Sequence, residues 1–324
     1  MAGGICLALR YSYLQEACIF PFSDDFYLNA SGQITSPKIG ATINDVGQKY
    51  IENINKYSTK DYLASEDIAA KNIIAYFPGN GEGLESQINI LSQAPPNEDY
   101  AFVSFPYPGR GKLGNIRQES DLANAAVIEQ IKEWGKAGKK ISLIGFSMGA
   151  NPALQVAANP STAEYIEGVA LINPFTSLTS WINDKTPQPL SGFLNNLILR
   201  YKLDNVALAS KVKDRLKVMI TSSTNDQVTP HHHREALAKH FKNVDLKSYD
   251  AQHNNIFTNP KFGRDLSGFL FKQKSTQHLS QKRGSWAFLA LGNYFWASRC
   301  NDSPSVFSCC WSKLNKMISN FNQV

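Results

Sequence analysis

Ser147 stands at the centre of Gly145-Phe146-Ser147-Met148-Gly149, directly after the apolar run Ile141-Ser-Leu-Ile144 and directly before a helix-forming segment, Asn151–Ala158. A serine hydroxyl is a weak nucleophile, and it becomes useful when a strained strand-to-helix turn holds it clear of a sheet. Side chains two residues to either side would collide in such a turn, and Gly145 and Gly149 remove both. The helix N-terminus behind Ser147 offers backbone N–H groups to a developing negative charge. The chemistry these residues suit is attack on a carbonyl carbon. A bare Gly-x-Ser-x-Gly run is weak as a signal, and its place between an apolar strand and a helix makes it strong.

Such a serine needs a base, and the base needs an orienting acid, in the chain order serine, acid, histidine. After an apolar run ending near Thr221 comes Ser222-Ser-Thr-Asn225-Asp226-Gln-Val-Thr-Pro230, and after the last such run comes Asp250-Ala-Gln-His253-Asn254-Asn255. Asp226 and His253 are therefore expected just past the C-terminal ends of successive strands, the edge at which open α/β sheets hold their ligands. Asp250 is a weaker competitor because it is only three residues from His253, and position 173 is Asn, which cannot be the acid.

The elements that must position these residues are legible as alternating apolar runs and helix-period segments between Lys71 and Phe271, the pattern of a mostly parallel sheet. Asn72–Phe77, Ala101–Phe105, Ile141–Ile144, Gly168–Ile172, Lys217–Thr221 and Val244–Tyr249 read as strands. Strands buried on both faces should be such continuous apolar runs. Leu122, Ala126, Ile128, Ile131 and Trp134 recur at helical spacing. In residues 1–70 the expectation is an antiparallel hairpin at the sheet's leading edge (Phe26–Leu28, then Gln33–Thr35) and a helix over Val46–Tyr57. Residues 173–215 are too long for a simple crossover. They read as a lid-like insertion with a helix around Phe193–Tyr201.

With these blocks in place, the chain resembles an α/β-hydrolase over about residues 71 to 271. FPGNGE, FPYPGRGK, GFSMGA, NPFTSL, TNDQVTP and QHNNIF resemble the corresponding blocks of BEM46-like serine hydrolases. The resemblance implies Ser147 as nucleophile, His253 as general base and Asp226 as its orienting acid. It also implies an oxyanion hole from the backbone N–H groups of Met148 and Asn80. It departs at Pro78, where family members usually carry histidine, and in the helical insertion at 44–70. Losing that histidine removes a supporting side chain but no backbone donor. The implied function is hydrolysis of an acyl ester or thioester without metal or organic cofactor; the competing reading is a catalytically silent hydrolase fold serving as a membrane-associated binding module.

Other signals point elsewhere. His231-His232-His233 diverge around a helix that Pro230 starts, and read as a surface helix with no metal. The Gly79-Asn-Gly81-Glu-Gly83 loop lacks the Lys-Ser/Thr of a phosphate-binding loop, and no motif interleaves basic and aromatic residues for nucleic acid.

Composition divides the chain. The 324 residues carry 33 Lys and Arg against 27 Asp and Glu, a net charge of +6 with 43% hydrophobic residues. That balance excludes a wholly disordered chain, a collagen-like repeat and a coiled coil. From Lys272 to Val324 there are seven cations and one anion, so residues 1–271 are neutral and the tail holds the whole excess. Trp286, Trp296 and Trp311 lie in this tail, beside Cys309 and Cys310 as candidate lipidation sites. Apolar, Trp-rich segments flanked by Lys and Arg suit an anionic membrane surface. No cleavable signal is expected from MAGGICLALRYSY, and Trp286–Ala297 falls short of the roughly 20 residues of a spanning helix. The expected location is cytoplasmic, with a peripheral membrane contact through the tail.

Overall fold

Six of the apolar runs become the parallel strands of one sheet in the computed structural model, which describes residues 27–28, 34–35, 63–64, 69–80, 82, 99–105, 125–193, 195, 202–212 and 214–271. In chain order the described elements are β1 (Tyr27–Leu28), β2 (Ile34–Thr35), β3 (Leu63–Ala64), β4 (Asn72–Phe77), β5 (Tyr100–Ser104), α1 (Ala125–Lys136), β6 (Lys140–Phe146) and α2 (Ala150–Ala158). They continue with β7 (Ile166–Ile172), α3 (Leu178–Lys185), α4 (Leu190–Phe193), α5 (Asn205–Ala209), β8 (Lys217–Ser223), α6 (His232–Ala238), β9 (Val244–Tyr249) and α7 (Pro260–Leu270). The main sheet runs β3-β5-β4-β6-β7-β8-β9, with β3 antiparallel to β5 and every other pairing parallel.

The order places the reactive edge. From β4 the chain steps outward to β5, then returns across β4 to β6 and proceeds to β7, β8 and β9. The reversal lies between β4 and β6, so the segments leaving those strands diverge and open a crevice at their carboxyl ends. Ser147 leaves β6 there and Pro78 leaves β4 there.

Period-two alternation sends the strand side chains into two apolar layers. Ile73, Ala75 and Phe77 of β4 pack in one layer with Ile131 and Trp134 of α1 and with Ala153, Leu154 and Ala157 of α2. Ile74 and Tyr76 face the other, with Phe262, Leu266 and Leu270 of α7. Val127, Ile131 and Trp134 are spaced to share one helical face and are all buried, each stabilising by roughly 1.5–3 kcal/mol relative to exposure. Asn259 starts α7 by accepting the N–H groups of Lys261 and Phe262, with Pro260 in the first turn where its missing N–H is harmless.

Several expectations need correcting. β1 and β2 do pair antiparallel, yet they form their own two-stranded sheet, and the leading edge of the main sheet is β3. β9 is parallel but not buried on both faces: it is the last strand, Leu246 is 42% exposed, and Lys247 pairs with Asp245 and Asp265 along that edge. The proposed helices over 46–57 and most of 193–201, and the whole tail 272–324, lie outside the described residues. No helix among the described residues is long and apolar enough to cross a membrane.

Within residues 173–215, α4 packs on α3, which lies on the loop after β8, and α5 packs on the helix behind Ser147. Ser177 caps α3 by accepting the Ser180 N–H. Trp181 donates its indole N–H to the Val228 carbonyl at 2.7 Å and Lys185 donates to the Gln227 carbonyl, so α3 lies on the loop that carries Asp226. A buried amide chain ties α5 to the helix behind Ser147: Asn151 donates to Asn205 Oδ1 at 2.8 Å, and Asn205 donates to the Phe175 carbonyl at 2.8 Å. The histidine run also differs from the surface helix expected of it. His231 and His232 are exposed, but His233 is fully buried, its Nδ1 facing Thr176 Oγ1 at 3.0 Å. Burial first, and then the neighbouring His232, lower the His233 pKa from its ordinary value.

Candidate active site

Backbone geometry at the serine explains its flanking glycines. Ser147 adopts φ 53°, in the left-handed region, which costs an L-residue roughly 1–2 kcal/mol. A Cβ on Gly145 would stand 2.5 Å from the Gly149 carbonyl oxygen and 2.7 Å from Ala150 Cα. A Cβ on Gly149 would stand 2.1 Å from the Phe77 carbonyl oxygen. Both obstacles are backbone, so neither can swing aside, and the turn closes only with hydrogen at both positions.

The structure brings Ser147, His253 and Asp226 into one hydrogen-bonded row. His253 Nε2 lies 2.9 Å from Ser147 Oγ, and His253 Nδ1 lies 2.7 Å from Asp226 Oδ2. With Asp226 ionised, Nδ1 carries the proton and donates it, so the Nε2 lone pair is left to accept from the serine hydroxyl. Ser147 and His253 are both 7% exposed, which limits competition from water. Phe146 stacks obliquely on the imidazole at 5.3 Å and meets Phe257 edge-on at 5.1 Å, so the ring is held from the side as well.

Asp226 is built to be an anion. Its Oδ1 accepts the N–H groups of Val228 and Thr229, each at 2.8 Å, and its Oδ2 accepts the Thr229 hydroxyl at 2.8 Å besides His253. Burial pushes the carboxyl pKa up, but the hydrogen bond and charge of His253, with both Thr229 donors, outweigh it and hold the group below its ordinary value. Asp250, the competing acid, is exposed and accepts from Asn225 Nδ2 at 2.8 Å.

Asn80 and Met148 lie on the adjoining segments that leave β4 and β6. The β4 segment is fitted tightly to the elbow: a Cβ on Gly79 would meet the Phe146 ring at 2.7 Å. Glu82, 8% exposed, accepts the Gly79 N–H at 2.9 Å and the Tyr76 hydroxyl at 2.8 Å. Its carboxylate thereby fixes the Pro78–Gly79 peptide, the one before the peptide that carries the Asn80 N–H. Met148 is buried behind the serine.

Sequence reasoning missed a residue that organises all of this. Asn173, buried at φ 47°, donates from Nδ2 to the His253 carbonyl at 2.8 Å and to Ser223 Oγ at 3.0 Å. Its Oδ1 accepts the Ser223 N–H at 2.9 Å, and its own carbonyl lies 3.2 Å from the Thr229 hydroxyl oxygen, whose proton goes to the nearer Asp226 Oδ2. It thus joins the ends of β7 and β8 to the backbone of the histidine and to the acid's partner. The Asn-Pro pair after a strand was the available signal, since Asn tolerates the left-handed conformation and marks turns. Asn173→Ala is expected to lower stability by about 2–5 kcal/mol, because it strands the buried Ser223 N–H and His253 carbonyl, and to lower kcat more than it raises KM. Urea unfolding and steady-state kinetics check both parts, and a change under 1 kcal/mol counts against the assignment.

Six parallel strands wound in this order, with a left-handed serine between the central strand and its helix, make this an α/β-hydrolase fold. No protein-family model matches the sequence, and no curated protein matches it. Among solved structures, an alpha/beta hydrolase enzyme from a Medee basin deep-sea metagenome library is similar at 19% identity and a TM-score of 0.49, over 67% of this chain and 96% of that one. An esterase from Exiguobacterium antarcticum is similar at 17% identity and a TM-score of 0.46, over 64% of this chain and 95% of that one. The acylaminoacyl peptidase of Pyrococcus horikoshii is similar at 15% identity and a TM-score of 0.47, over 67% of this chain and 40% of that one.

Proposed function

We propose that the protein is a serine hydrolase that cleaves carboxylic esters or thioesters through an acyl-enzyme on Ser147. The observation that carries this reading is the continuous row from Ser147 Oγ through the His253 ring to Asp226, at 2.9 and 2.7 Å. Ser147 Oγ attacks the acyl carbonyl carbon while its proton passes to His253 Nε2. The resulting imidazolium is stabilised by Asp226, and the oxyanion takes the backbone N–H groups of Met148 and Asn80. The tetrahedral intermediate collapses, the alkoxide or thiolate leaves with the proton from Nε2, and the acyl group stays on Oγ. Water then attacks the acyl carbonyl, giving a proton to Nε2, and the acid product departs as the proton returns to Oγ. No step calls for a metal or an organic cofactor.

The choice between ester and thioester, and the acyl chain length, belong to the insertion over the site. The basic, Trp-rich tail supports a reading in which anionic membranes present the substrate. Incubation with p-nitrophenyl esters of increasing acyl length and with an acyl thioester, each free and in anionic vesicles, tests the proposal. The expected result is ester turnover with an acyl adduct on the Ser147 peptide, trapped by acid quench and read by mass spectrometry. An active protein acylated elsewhere, or no turnover of any member, would overturn it.

A further inference from the structure

The His231–His233 run takes on a different meaning once α3 is in place. Asp184, in the last turn of α3, points its Oδ2 at both His232 and His233 at the start of α6: His233 Nε2 lies 2.8 Å away and His232 Nε2 lies 3.0 Å away. The one carboxylate oxygen and two imidazole nitrogens all lie within 4.8 Å of one another. Consecutive helical residues normally diverge by about 100°. Here the rings lie side by side, 4.4 Å apart and 33° from parallel, because both are drawn to the same oxygen.

We propose that Asp184, His232 and His233 form a divalent-metal site of zinc type that staples α3 to α6. The first support is the state of His233 Nε2. The residue is fully buried, and its Nε2 meets Asp184 Oδ2 at 2.8 Å as an ion-pair contact without the alignment of a good hydrogen bond. A buried nitrogen left so is costly; a metal ion would satisfy it. The second support is the donor set. Two imidazole nitrogens and a carboxylate oxygen suit zinc, cobalt or nickel and do not suit magnesium, which prefers oxygen alone. Tetrahedral bonds of about 2.0–2.1 Å put ligand atoms roughly 3.3 Å apart, close to the 2.8 and 3.0 Å that separate the carboxylate oxygen from the two nitrogens.

The surroundings agree with that use. Thr176 Oγ1, 3.0 Å from His233 Nδ1, can accept the proton that a metal-bound imidazole carries on its other nitrogen. The Thr176 N–H also reaches Nδ1, at 3.3 Å; this suits the metal-free form, in which Nδ1 is the acceptor, and gives way when the ion binds. Asp184 and His232 both reach the surface, which gives an entry path and leaves a position for water. The staple would join α3, which lies on the Asp226 loop through Trp181 and Lys185, to the helix that follows that loop.

Titrating the full-length protein with Co²⁺ while recording visible ligand-field absorption tests the site. The expected result is one equivalent bound, displaced by Zn²⁺, with binding weakened at least about tenfold by Asp184→Asn or by His232→Gln. Both substitutions fall at the surface and leave the buried His233 in place, so the fold survives them. Saturating Zn²⁺ should raise the Tm of the unaltered protein by ~5 °C and not that of the double variant. The proposal is overturned by the absence of binding, by binding that persists in the double variant, or by a thiolate-to-cobalt absorption that puts the ion on cysteine.

Discussion

Replacing Ser147 by alanine is expected to lower turnover of a short p-nitrophenyl ester by about 10⁴–10⁶-fold and to abolish labelling by a fluorophosphonate probe. The magnitude follows from what the row of side chains does as a unit. In the proposed acylation step His253 takes its proton from Ser147 Oγ, 2.9 Å from its Nε2, and the acyl group passes to that oxygen. Alanine leaves the proposed oxyanion donors, the Met148 and Asn80 N–H groups, in place, so on that proposal the residual rate reports binding and the backbone amides alone. The change leaves the fold standing: alanine and serine meet similar difficulty at φ 53°, and only one buried hydroxyl is lost. Thermal unfolding of the variant distinguishes lost chemistry from lost structure. Labelling that survives in a folded Ser147→Ala protein would refute the assignment of the nucleophile.

Asp226→Asn should be nearly as damaging, at about 10⁴-fold in kcat, for a reason the hydrogen bonds specify. Asp226 Oδ1 is committed to the N–H groups of Val228 and Thr229, so an asparagine must put its carbonyl oxygen there. Its NH₂ then faces His253 Nδ1, makes that nitrogen an acceptor and moves the ring proton to Nε2. A protonated Nε2 cannot accept from Ser147. The fold keeps its two backbone contacts, so loss of activity without loss of structure is expected.

The same pair supplies a pH test. The Asp226 pKa is held below its ordinary value, so the stability it contributes is complete above the unfolded carboxylate pKa of about 4 and is lost as pH falls through the lower folded value. The stability difference between the unaltered protein and Asp226→Asn should therefore not shrink between neutral pH and about pH 5 and should shrink below it. Urea midpoints measured across that range check this, and a difference that shrinks between pH 7 and 5 would contradict it.

Some of this protein is written locally and some is not. The inner strands of the parallel sheet are continuous apolar runs because they are buried on both faces, so Asn72–Phe77, Gly168–Ile172 and Lys217–Thr221 are legible without a structure. The elbow is legible for a different reason: only glycine fits two residues before and after a left-handed serine, and the backbone contacts at 2.5 and 2.1 Å show the collision directly. The positions of Asp226 and His253 follow from strand ends, since each lies a few residues past one.

What the chain does not announce is anything decided by elements distant in sequence. β9 alternates Val244 and Leu246 with Asp245 and Lys247, but that Leu246 is exposed follows from its strand being last in the sheet, and order within a sheet is a tertiary property. The leading edge fell to β3 rather than to the β1–β2 hairpin, because pairing is settled by which backbone meets β5. Asn173 looks like a missing acid until His253 arrives 80 residues later to receive its Nδ2–H. The triple histidine diverges on a helix drawn alone; Asp184, 49 positions before His233 in the numbering, draws two of the rings together. Sequence by itself determined the sheet, the serine elbow and the candidate acid and base, because steric exclusion and strand burial act over a few neighbouring residues. Only the tertiary structure decided the edges, the Asn173 brace and the His–Asp cluster, because each depends on polar groups that meet only after the sheet has closed around them.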